Sequence, residues 1–494
     1  MLKCYRKGYT EFLIAALIAV LGVACSIAPP ALAAEAKYTV YYGFSMPDED
    51  YLIPVTVFRP FGPSQVEGVV SALIEGPPST KGLPVRTLIP KGTRLLGAEI
   101  KDGVAYLNFS KEITAANVGS RGDALLVASI VNSVSSIPGV DKVQILVEGA
   151  KVETIAGHVY VGEPLGRADE LVFKGFKDTK GNWAEGQILA FALRGVLSGY
   201  PDGTFKPNST VTRAEFIKML CATVGLEPKE TSIESFRDVL RGNWAHPWIE
   251  AAVKAGLLRV SDYPSGLAPN QPIPRKEMAV LLARGAGLEK EAIKEAGTPL
   301  AFTDTVQLPG WLKGYIKVVV DEGLLKGYPN LTFRPSGLLT RAESATVMAR
   351  LAGMSRPDPG VGRPGPGMPK PPSIYTAFPI KESEITTPFF TAGAARVFEA
   401  SLGVEMGYYT GKPKDDEEGK ADPNAKRRVL KQACVMASEG APGWGIFAAV
   451  IPYEPPWAVG GWKSEYGFVK VYCTDPRDGS ELEGVEIPVT VIGQ

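Results

Sequence analysis

Three kinds of side chain recur in the same order in three stretches of the chain. The three sets are Asp178, Trp183 and Arg213; Asp238, Trp244 and Arg275; and Asp304, Trp311 and Arg341. A guanidinium group binds a carboxylate through two parallel hydrogen bonds. An indole offers a flat face to a sugar ring, and a carboxylate accepts hydrogen bonds from hydroxyl groups. These residues are therefore candidates for ligand binding. The alternatives are that each Trp belongs to the core, each Asp caps the next helix, and each Arg is a solvated surface group.

The arginines belong to a longer repeat that predicts two helices joined by a turn-rich loop. The sequence GYPDGTFKPNSTVTRAEF at 199–216 returns as GYPNLTFRPSGLLTRAES at 327–344 and, altered, as DYPSGLAPNQPIPRKEM at 262–278. Apolar residues at helical spacing follow each Trp, and a Gly suited to the left-handed position after a helix stands twelve residues beyond it. Thr212 and Glu215 form a capping box that starts the second helix. The third copy keeps this box, whereas Pro274 removes the side-chain cap from the middle copy.

These copies resemble S-layer homology (SLH) modules, whose hallmark is TRAE after a GYPDGTFxP loop. The resemblance covers residues 173–354 and is partial in the middle copy, where Pro274-Arg275-Lys276-Glu277 replaces TRAE. It implies an all-α prism of three modules that binds a secondary cell-wall polysaccharide, typically pyruvylated, in the grooves between them. Arg213 and Arg341 are then the leading candidates for binding the pyruvate carboxylate, and Arg275 is a weaker one. Each lies at a helix start, where free N–H groups also favour an anion.

Residues 37–167 predict an α+β domain. Strands are expected at 38–43 and 54–58, a helix after the capping box Ser64…Glu67, a hairpin turning at Asp102-Gly103, a helix at 122–134 and a strand at 142–147. The stretch resembles the sporulation and spore-germination N-terminal (GerMN) domain. The motifs that carry this resemblance are LIEGP at 73–77, LIPKGT at 88–93, DGVAY at 102–106 and GVDKVQILV at 139–147. The resemblance implies an extracytoplasmic domain and transfers no catalytic residues.

Residues 374–494 contain short β-like runs separated by turns, which predict a β-sandwich. They resemble the immunoglobulin-like domain of bacterial spore germination proteins. The motifs are ITTPF at 385–389, GxARVFE at 393–399, GIF at 445–447 with IPY at 451–453, and DG at 478–479 with IPV at 487–489. The charged run 415–428 predicts a solvated loop. Cys434 and Cys473 either form a disulfide between facing strands or remain two buried free thiols on non-adjacent strands.

The remaining segments complete a multidomain organisation. Residues 1–33 have a basic start, an apolar centre and an Ala-Leu-Ala cleavage site, which predict an export signal; the alternative is a lipoprotein signal with Cys25 as the modified residue. The repeats are placed at 173–226, 233–288 and 299–354, and the Pro/Gly-rich segment 355–373 predicts an extended linker. The expected fold is thus an α+β domain, an all-α three-repeat prism and an immunoglobulin-like β-sandwich.

The amino-acid composition and the sequence motifs disfavour several classes of function. The formal net charge is zero and the chain has only two His, so nucleic-acid binding and a His-based metal or catalytic site are not expected. No G-x-S-x-G or H-E-x-x-H motif is present, although a carboxylate pair stays open. We expect a non-enzymatic protein without cofactor or metal at the cell wall of a Gram-positive-type bacterium. Its partners would be the wall polysaccharide and peptidoglycan or envelope proteins. The alternative is a wall-processing enzyme that its SLH modules target.

Overall fold

The structure is a computed structural model whose described residues begin at Glu35. They are 35–46, 49–60, 64–77, 85–228, 230–353, 374–379, 383–397, 401–410, 426–438, 444–453, 464–474 and 481–492. The predicted export signal with Cys25, the segment 355–373 and most of the charged run 415–428 lie outside these residues. Within the described ranges, no helix combines the length and apolar character that crossing a membrane requires.

The N-terminal unit has the helices and strands that its sequence predicts. Its elements are β1 (Glu35–Ser45), β2 (Asp50–Pro60), α1 (Gln65–Glu75), β3 (Val85–Arg86), β4 (Leu95–Lys101), β5 (Val104–Phe109), α2 (Ser120–Val134), β6 (Lys142–Val147) and β7 (Ala150–Lys151). Ser64 caps α1 through its side chain. Asp102 and Gly103 both have positive φ, as a two-residue hairpin turn requires. Strands β4, β5, β6 and β7 form one sheet in that order, and α2 packs on β1.

Each repeat contributes two helices, as predicted. They are α3 (Glu185–Leu193) and α4 (Arg213–Thr223), α5 (His246–Lys254) and α6 (Arg275–Gly285), and α8 (Gly310–Asp321) and α9 (Arg341–Leu351). An additional helix, α7 (Glu289–Lys294), packs against α8. Complete capping boxes start α4 and α9, and Pro274 at the start of α6 makes no side-chain cap. The second helix of each repeat packs on the first helix of the next, so the three repeats close into a ring.

The C-terminal unit is built from strands. They are β8 (Ile374–Phe378), β9 (Glu384–Ile385), β10 (Phe389–Ala395), β11 (Ser401–Thr410), β12 (Lys426–Met436), β13 (Gly445–Ile451), β14 (Ser464–Thr474) and β15 (Glu481–Ile492). A five-stranded sheet has the order β12-β11-β14-β15-β9, and it shares an apolar core with residues of β8, β10 and β13. The charged run ends in β12, which begins at Lys426, so its last residues are strand rather than loop.

The predicted fold class of separate α+β, all-α and β units is wrong. A six-stranded sheet of order β3-β1-β2-β13-β10-β8 contains strands from both the N-terminal and the C-terminal unit. They join where β13 runs parallel to β2, with Ala449 opposite Thr56 and Val450 opposite Val57. The repeat region is not purely helical either, because isolated β-bridges connect its loops. Within the described residues the molecule is mixed α/β, and pairing with β13 satisfies backbone groups that the edge of β2 would otherwise leave open.

The C-terminal strands also cover the first helix of the first repeat. All nine residues of α3 are buried, whereas four of the nine residues of α5 are. Strands β8 and β10 pack against α3. Gln187 of α3 donates a buried hydrogen bond of 2.7 Å to the hydroxyl of Tyr375. The ring of Trp444 lies so close to Gly186 that a Cβ atom added there would stand 2.5 Å from it. The first repeat is therefore built into the rest of the molecule.

Of the two alternatives for Cys434 and Cys473, the disulfide is not present, and both residues are free cysteines. Cys434 lies on β12 and Cys473 on β14, and β11 runs between these two strands. Neighbouring strands are about 4.8 Å apart, so two intervals exceed the Cα separation of about 7 Å that a disulfide tolerates. The alternative of free thiols on non-adjacent strands describes the structure, although Cys434 is exposed rather than buried.

Candidate functional site

The loop of each repeat holds the start of the preceding repeat's second helix, and the first repeat holds that of the third. The first two amides of α4 donate to the carbonyls of Gln271 and Pro269 in the second repeat. Those of α6 donate to Gly337 and Pro335 in the third, and those of α9 to Ser209 and Pro207 in the first. The six N···O distances are 2.8–3.0 Å. These N–H groups are thus satisfied by the protein, and the expectation of free amides for an anion at these positions is wrong.

Each predicted aspartate holds the loop of its own repeat. Asp178 accepts hydrogen bonds from the amides of Phe205 and Lys206. Asp238 does the same for Leu267 and Ala268, and Asp304 for Phe333 and Arg334. The second residue of each pair, Lys206, Ala268 or Arg334, has positive φ. Burial opposes ionisation of Asp238, but the amides of Ala268 and Leu267 hold the pKa of its carboxyl group below the ordinary value. These carboxylates fix the loop backbone instead of capping the next helix.

Two of the predicted arginines are buried between repeats. Arg341 donates to the carbonyls of Phe205 and Ser198 at 2.7 and 2.8 Å and to the Glu215 carboxylate at 2.8 Å. Its guanidinium also lies over the Phe205 ring, 4.4 Å from the centroid.

Arg275 occupies the equivalent position at the next interface and is fully buried. It donates to the carbonyls of Phe333 and Lys326 at 2.8 and 2.6 Å. Burial lowers the pKa of Arg275 from its ordinary value, although a guanidinium stays charged in proteins. The structure therefore uses Arg275 and Arg341 to join neighbouring repeats.

Arg213 differs from the other two. Its Nε and Nη2 atoms donate to the two carboxylate oxygens of Glu277, at 2.7 and 2.8 Å. The Arg213 side chain is 17% exposed, against 5% for Arg341. The hydrogen bond to Glu277 raises the pKa of Arg213, against the opposing effect of burial. The Arg213–Glu277 pair thus lies near the surface between the first and second repeats.

The three tryptophans are exposed, one in each repeat. Trp183, Trp244 and Trp311 are 42%, 53% and 56% exposed. The alternative that they are core residues does not describe these side chains. Their sugar-binding role stays a prediction.

Lys218 is a basic side chain that the sequence-based prediction missed. It projects from α4 with its Nζ 5.9 Å from the centroid of the Trp244 ring, and it donates to the Ser198 hydroxyl at 3.0 Å. It stands five residues after Arg213, and the residues five after Arg275 and Arg341 are Val280 and Thr346. Comparing the copies at this position would have singled out Lys218. Because its partner Trp244 belongs to the next repeat, the tertiary structure is what joins the two.

The described residues offer little for other chemistry. Among them, no group of three or more His, Cys, Asp or Glu side chains could hold a metal ion. Burial raises the pKa of the Cys221 thiol to about 12, so this cysteine on α4 is not a reactive thiolate.

Two parts of the chain match known sequence families. Residues 39–153 match the family described as sporulation and spore germination (Germane). Residues 175–217 and 301–345 match the S-layer homology (SLH) domain. These matches confirm the resemblance of the N-terminal unit to germination domains and of the repeats to SLH modules. The matched SLH residues lie in the first and third repeats, which keep the TRAE sequence.

Similar proteins align with a part of the chain that is about as long as the three repeats together. An amylopullulanase of Thermoanaerobacterium thermosulfurigenes is 34% identical over 35% of this chain and 9% of its own length. A cellulosome-anchoring protein of Acetivibrio thermocellus is 37% identical over 31% of this chain and 34% of its own. The chain thus covers about a third of the length of one of these relatives and about a tenth of the other. The SLH domains and the surface proteins that share them indicate a location at the cell surface or cell wall.

Among solved structures, the tandem GerMN domains of the sporulation protein GerM from Bacillus subtilis are similar to this chain. The similarity has 23% identity and a TM-score of 0.25, and it covers 30% of this chain and 51% of that one.

Proposed function

We propose that this chain is a non-enzymatic surface protein that its repeats hold on a wall polysaccharide while the other two units are displayed. The observation that carries the proposal is the ring of repeats, which is locked by inter-repeat hydrogen bonds and presents one exposed Trp per repeat. Packing in the core would account for a buried Trp. Three exposed Trp side chains at matched positions instead suit stacking on sugar rings. The SLH match supports the same function.

The interface between the first and second repeats is the best candidate for a carboxylated sugar such as a pyruvylated one. Arg213, which is paired with Glu277, and Lys218 leave one net positive charge on these three side chains at this interface, and Trp244 supplies the exposed ring. We rank Arg213 first among the arginines for direct contact because its guanidinium is the most exposed. Arg341 and Arg275 would support binding by holding the loops. The aspartates would contribute through their remaining lone pairs, since each oxygen already accepts one amide.

The test is sedimentation of the full-length protein with sacculi that keep their secondary polymer. The full chain is needed because α3 is covered by β8 and β10, and a fragment of residues 173–354 would expose that face. We expect Trp244→Ala to weaken binding more than Trp183→Ala or Trp311→Ala, and Arg213→Ala to weaken it by about 1.5–3 kcal/mol, as for a lost hydrogen bond to a charged group.

Tyr160→Ala is the matched control, since Tyr160 is 58% exposed on the N-terminal unit. Unchanged sedimentation of all three Trp variants, or equal sedimentation with polymer-stripped sacculi, would contradict the anchoring function.

An enzymatic role is the alternative, and the amylopullulanase relative is what favours it. The aligned region is 9% of that enzyme's length and coincides in size with the repeats. It therefore supports shared anchoring better than shared catalysis. Release of reducing ends or free amines from peptidoglycan by the purified full-length protein would support the enzyme instead.

A further inference from the structure

A cleft of about 190 Å³ opens where the N-terminal unit meets the first repeat. One side is formed by Met46, Glu49 and Tyr51 around the β1–β2 turn, and the opposite side by the loop 199–203 of the first repeat. The segment 170–177, which connects the two units, forms the base. We call this the junction cleft. It is separate from the Arg213–Trp244 interface.

We propose that the junction cleft binds a single hydroxylated sugar ring of a cell-wall glycan. The proposal rests on the proposed surface function only for the source of the glycan. Pockets for drug-sized ligands measure about 300–1,000 Å³, so a cleft of about 190 Å³ suits one ring rather than a longer segment.

The apolar surface of the cleft is held rigidly in place. Tyr51 packs on Phe173 with ring centroids 5.6 Å apart, and Phe173 packs on Phe176 at 5.7 Å. The guanidinium of Arg121 lies over the Tyr51 ring at 5.5 Å, and the Tyr51 hydroxyl donates to Glu49 at 2.7 Å. Phe173 and Phe176 are 4% and 8% exposed, so they support the half-buried Tyr51 ring from below. A sugar ring would pack on Tyr51, and this fixed ring loses little entropy on binding.

Both signs of charge line the cleft. Glu49 pairs with Arg121, whose Nη2 lies 3.0 Å from the Glu49 carboxylate, so these two charges neutralise each other. Glu170 contributes a further carboxylate, and Lys174 and Lys177 contribute two ammonium groups. The cleft therefore offers both donors and acceptors, and a sugar hydroxyl is both as well.

Two of these charged side chains are available to a ligand. Glu170 and Lys174 are exposed, and in the described part of the chain neither takes part in an ion pair or side-chain hydrogen bond. Lys177, by contrast, donates through Nζ to the carbonyl of Asp202 at 2.8 Å, and its amide donates to Gly203 at 3.0 Å. These two bonds fix the first-repeat loop against the base of the cleft.

The test uses the methyl resonance of Met46, which lines the cleft and is one of nine methionines in the chain. Full-length protein labelled at its methionine methyl groups is titrated with two probes, and Met46→Leu assigns the signal. The probes are muramidase-released peptidoglycan fragments and polysaccharide fragments released by acid from the same sacculi. We expect one of them to shift the Met46 signal in a saturable way, and which one identifies the source of the glycan.

Glu170→Gln and Lys174→Ala should each raise the dissociation constant about tenfold or more, as for a lost hydrogen bond to a charged group. Lys142→Ala is the matched control, since Lys142 is exposed at the start of β6, away from the cleft lining. The other methionine signals report whether the variants remain folded. No shift of Met46 with either probe, or equal affinity in all variants, would overturn the proposal. Sedimentation through the repeats is measured separately, so either proposal can fail while the other stands.

Discussion

The same motif forms two different interfaces between repeats. The arginine is partly exposed between repeats one and two and buried between repeats three and one. Glu215 divides its carboxylate, accepting from the Thr212 amide at 2.9 Å through one oxygen and from Arg341 at 2.8 Å through the other. Glu277 follows Pro274, which has no N–H, and gives both oxygens to Arg213. The loss of one backbone donor therefore converts a capping carboxylate into a bidentate ion-pair partner.

The surroundings of the two arginines differ as well. Arg341 lies between the aromatic rings of Tyr200 and Phe205, at 5.0 and 4.4 Å. In the second repeat Leu267 replaces that Phe, and Arg213 remains partly exposed. One interface is thus a buried clamp and the other a half-exposed pair. The comparison shows that an altered copy of a motif, here the second repeat with Pro274 and Leu267, can leave the cation of the neighbouring copy accessible.

The largest loss of stability should come from substitution of Arg341, the buried arginine of this comparison. Arg341→Ala leaves the carbonyls of Phe205 and Ser198 without their side-chain donor and removes the positive partner of Glu215, whose Oε1 keeps only the Tyr200 hydroxyl. We expect a loss of about 3–5 kcal/mol in the free energy of unfolding, as for removal of one partner of a buried pair. Denaturant unfolding followed by far-UV circular dichroism measures it.

Arg213→Ala is the companion variant, and its cost should be about 1–1.5 kcal/mol because the pair is partly solvated. An equal or larger loss for Arg213→Ala than for Arg341→Ala would show that exposure does not separate the two interfaces.

The attachment of the first repeat to the C-terminal strands gives a second, smaller effect. Gly186→Ala places a methyl group 2.5 Å from the Trp444 ring, which is itself buried. We expect a destabilisation of about 1–3 kcal/mol from overpacking, measured as a lower midpoint of denaturant unfolding.

Gly166→Ala serves as the control, since it lies outside the helices and strands, a Cβ atom there meets nothing within 4 Å, and its φ is not in the left-handed region. If both alanine variants unfold at the same denaturant concentration, the packing of Trp444 on α3 does not contribute to stability.

The smallest effect should come from restoring the missing cap. Pro274 has φ −78° and ψ 151°, close to the values of −80° and 164° at Thr212, so Pro274→Thr fits the backbone. A Thr cap contributes about 0.5–2 kcal/mol, and the loss of Pro from the unfolded chain offsets about 0.4–1 kcal/mol of that. We expect a net stabilisation below about 1 kcal/mol by denaturant unfolding.

The same variant makes Glu277 share its carboxylate between Arg213 and the new amide, as Glu215 does with Arg341. The cost of Arg213→Ala should therefore change in the Pro274→Thr background. If the two substitutions prove strictly additive, Glu277 does not share its carboxylate between Arg213 and the residue at 274.

Sequence patterns predicted the individual helices and strands better than the way in which they pack together. Capping boxes at Thr212 and Thr340 and the Asp102-Gly103 turn are local signals, because the interacting atoms lie within a few residues of each other. The pairing of β2 with β13 joins residues almost four hundred positions apart, and no local pattern encodes it. The fold class was wrong for this reason.

In the candidate site, too, the sequence predicted local features but not the contacts between repeats. The sequence by itself determined that Asp, Trp and Arg recur in each repeat and that the middle copy lacks its cap, because these follow from residue type and spacing. Only the tertiary structure decided that Arg275 and Arg341 are buried between repeats, that Arg213 binds Glu277, and that Lys218 stands beside Trp244. Each of these contacts joins one repeat to the next, so the order in which the repeats close into a ring fixes which side chains remain accessible to a ligand.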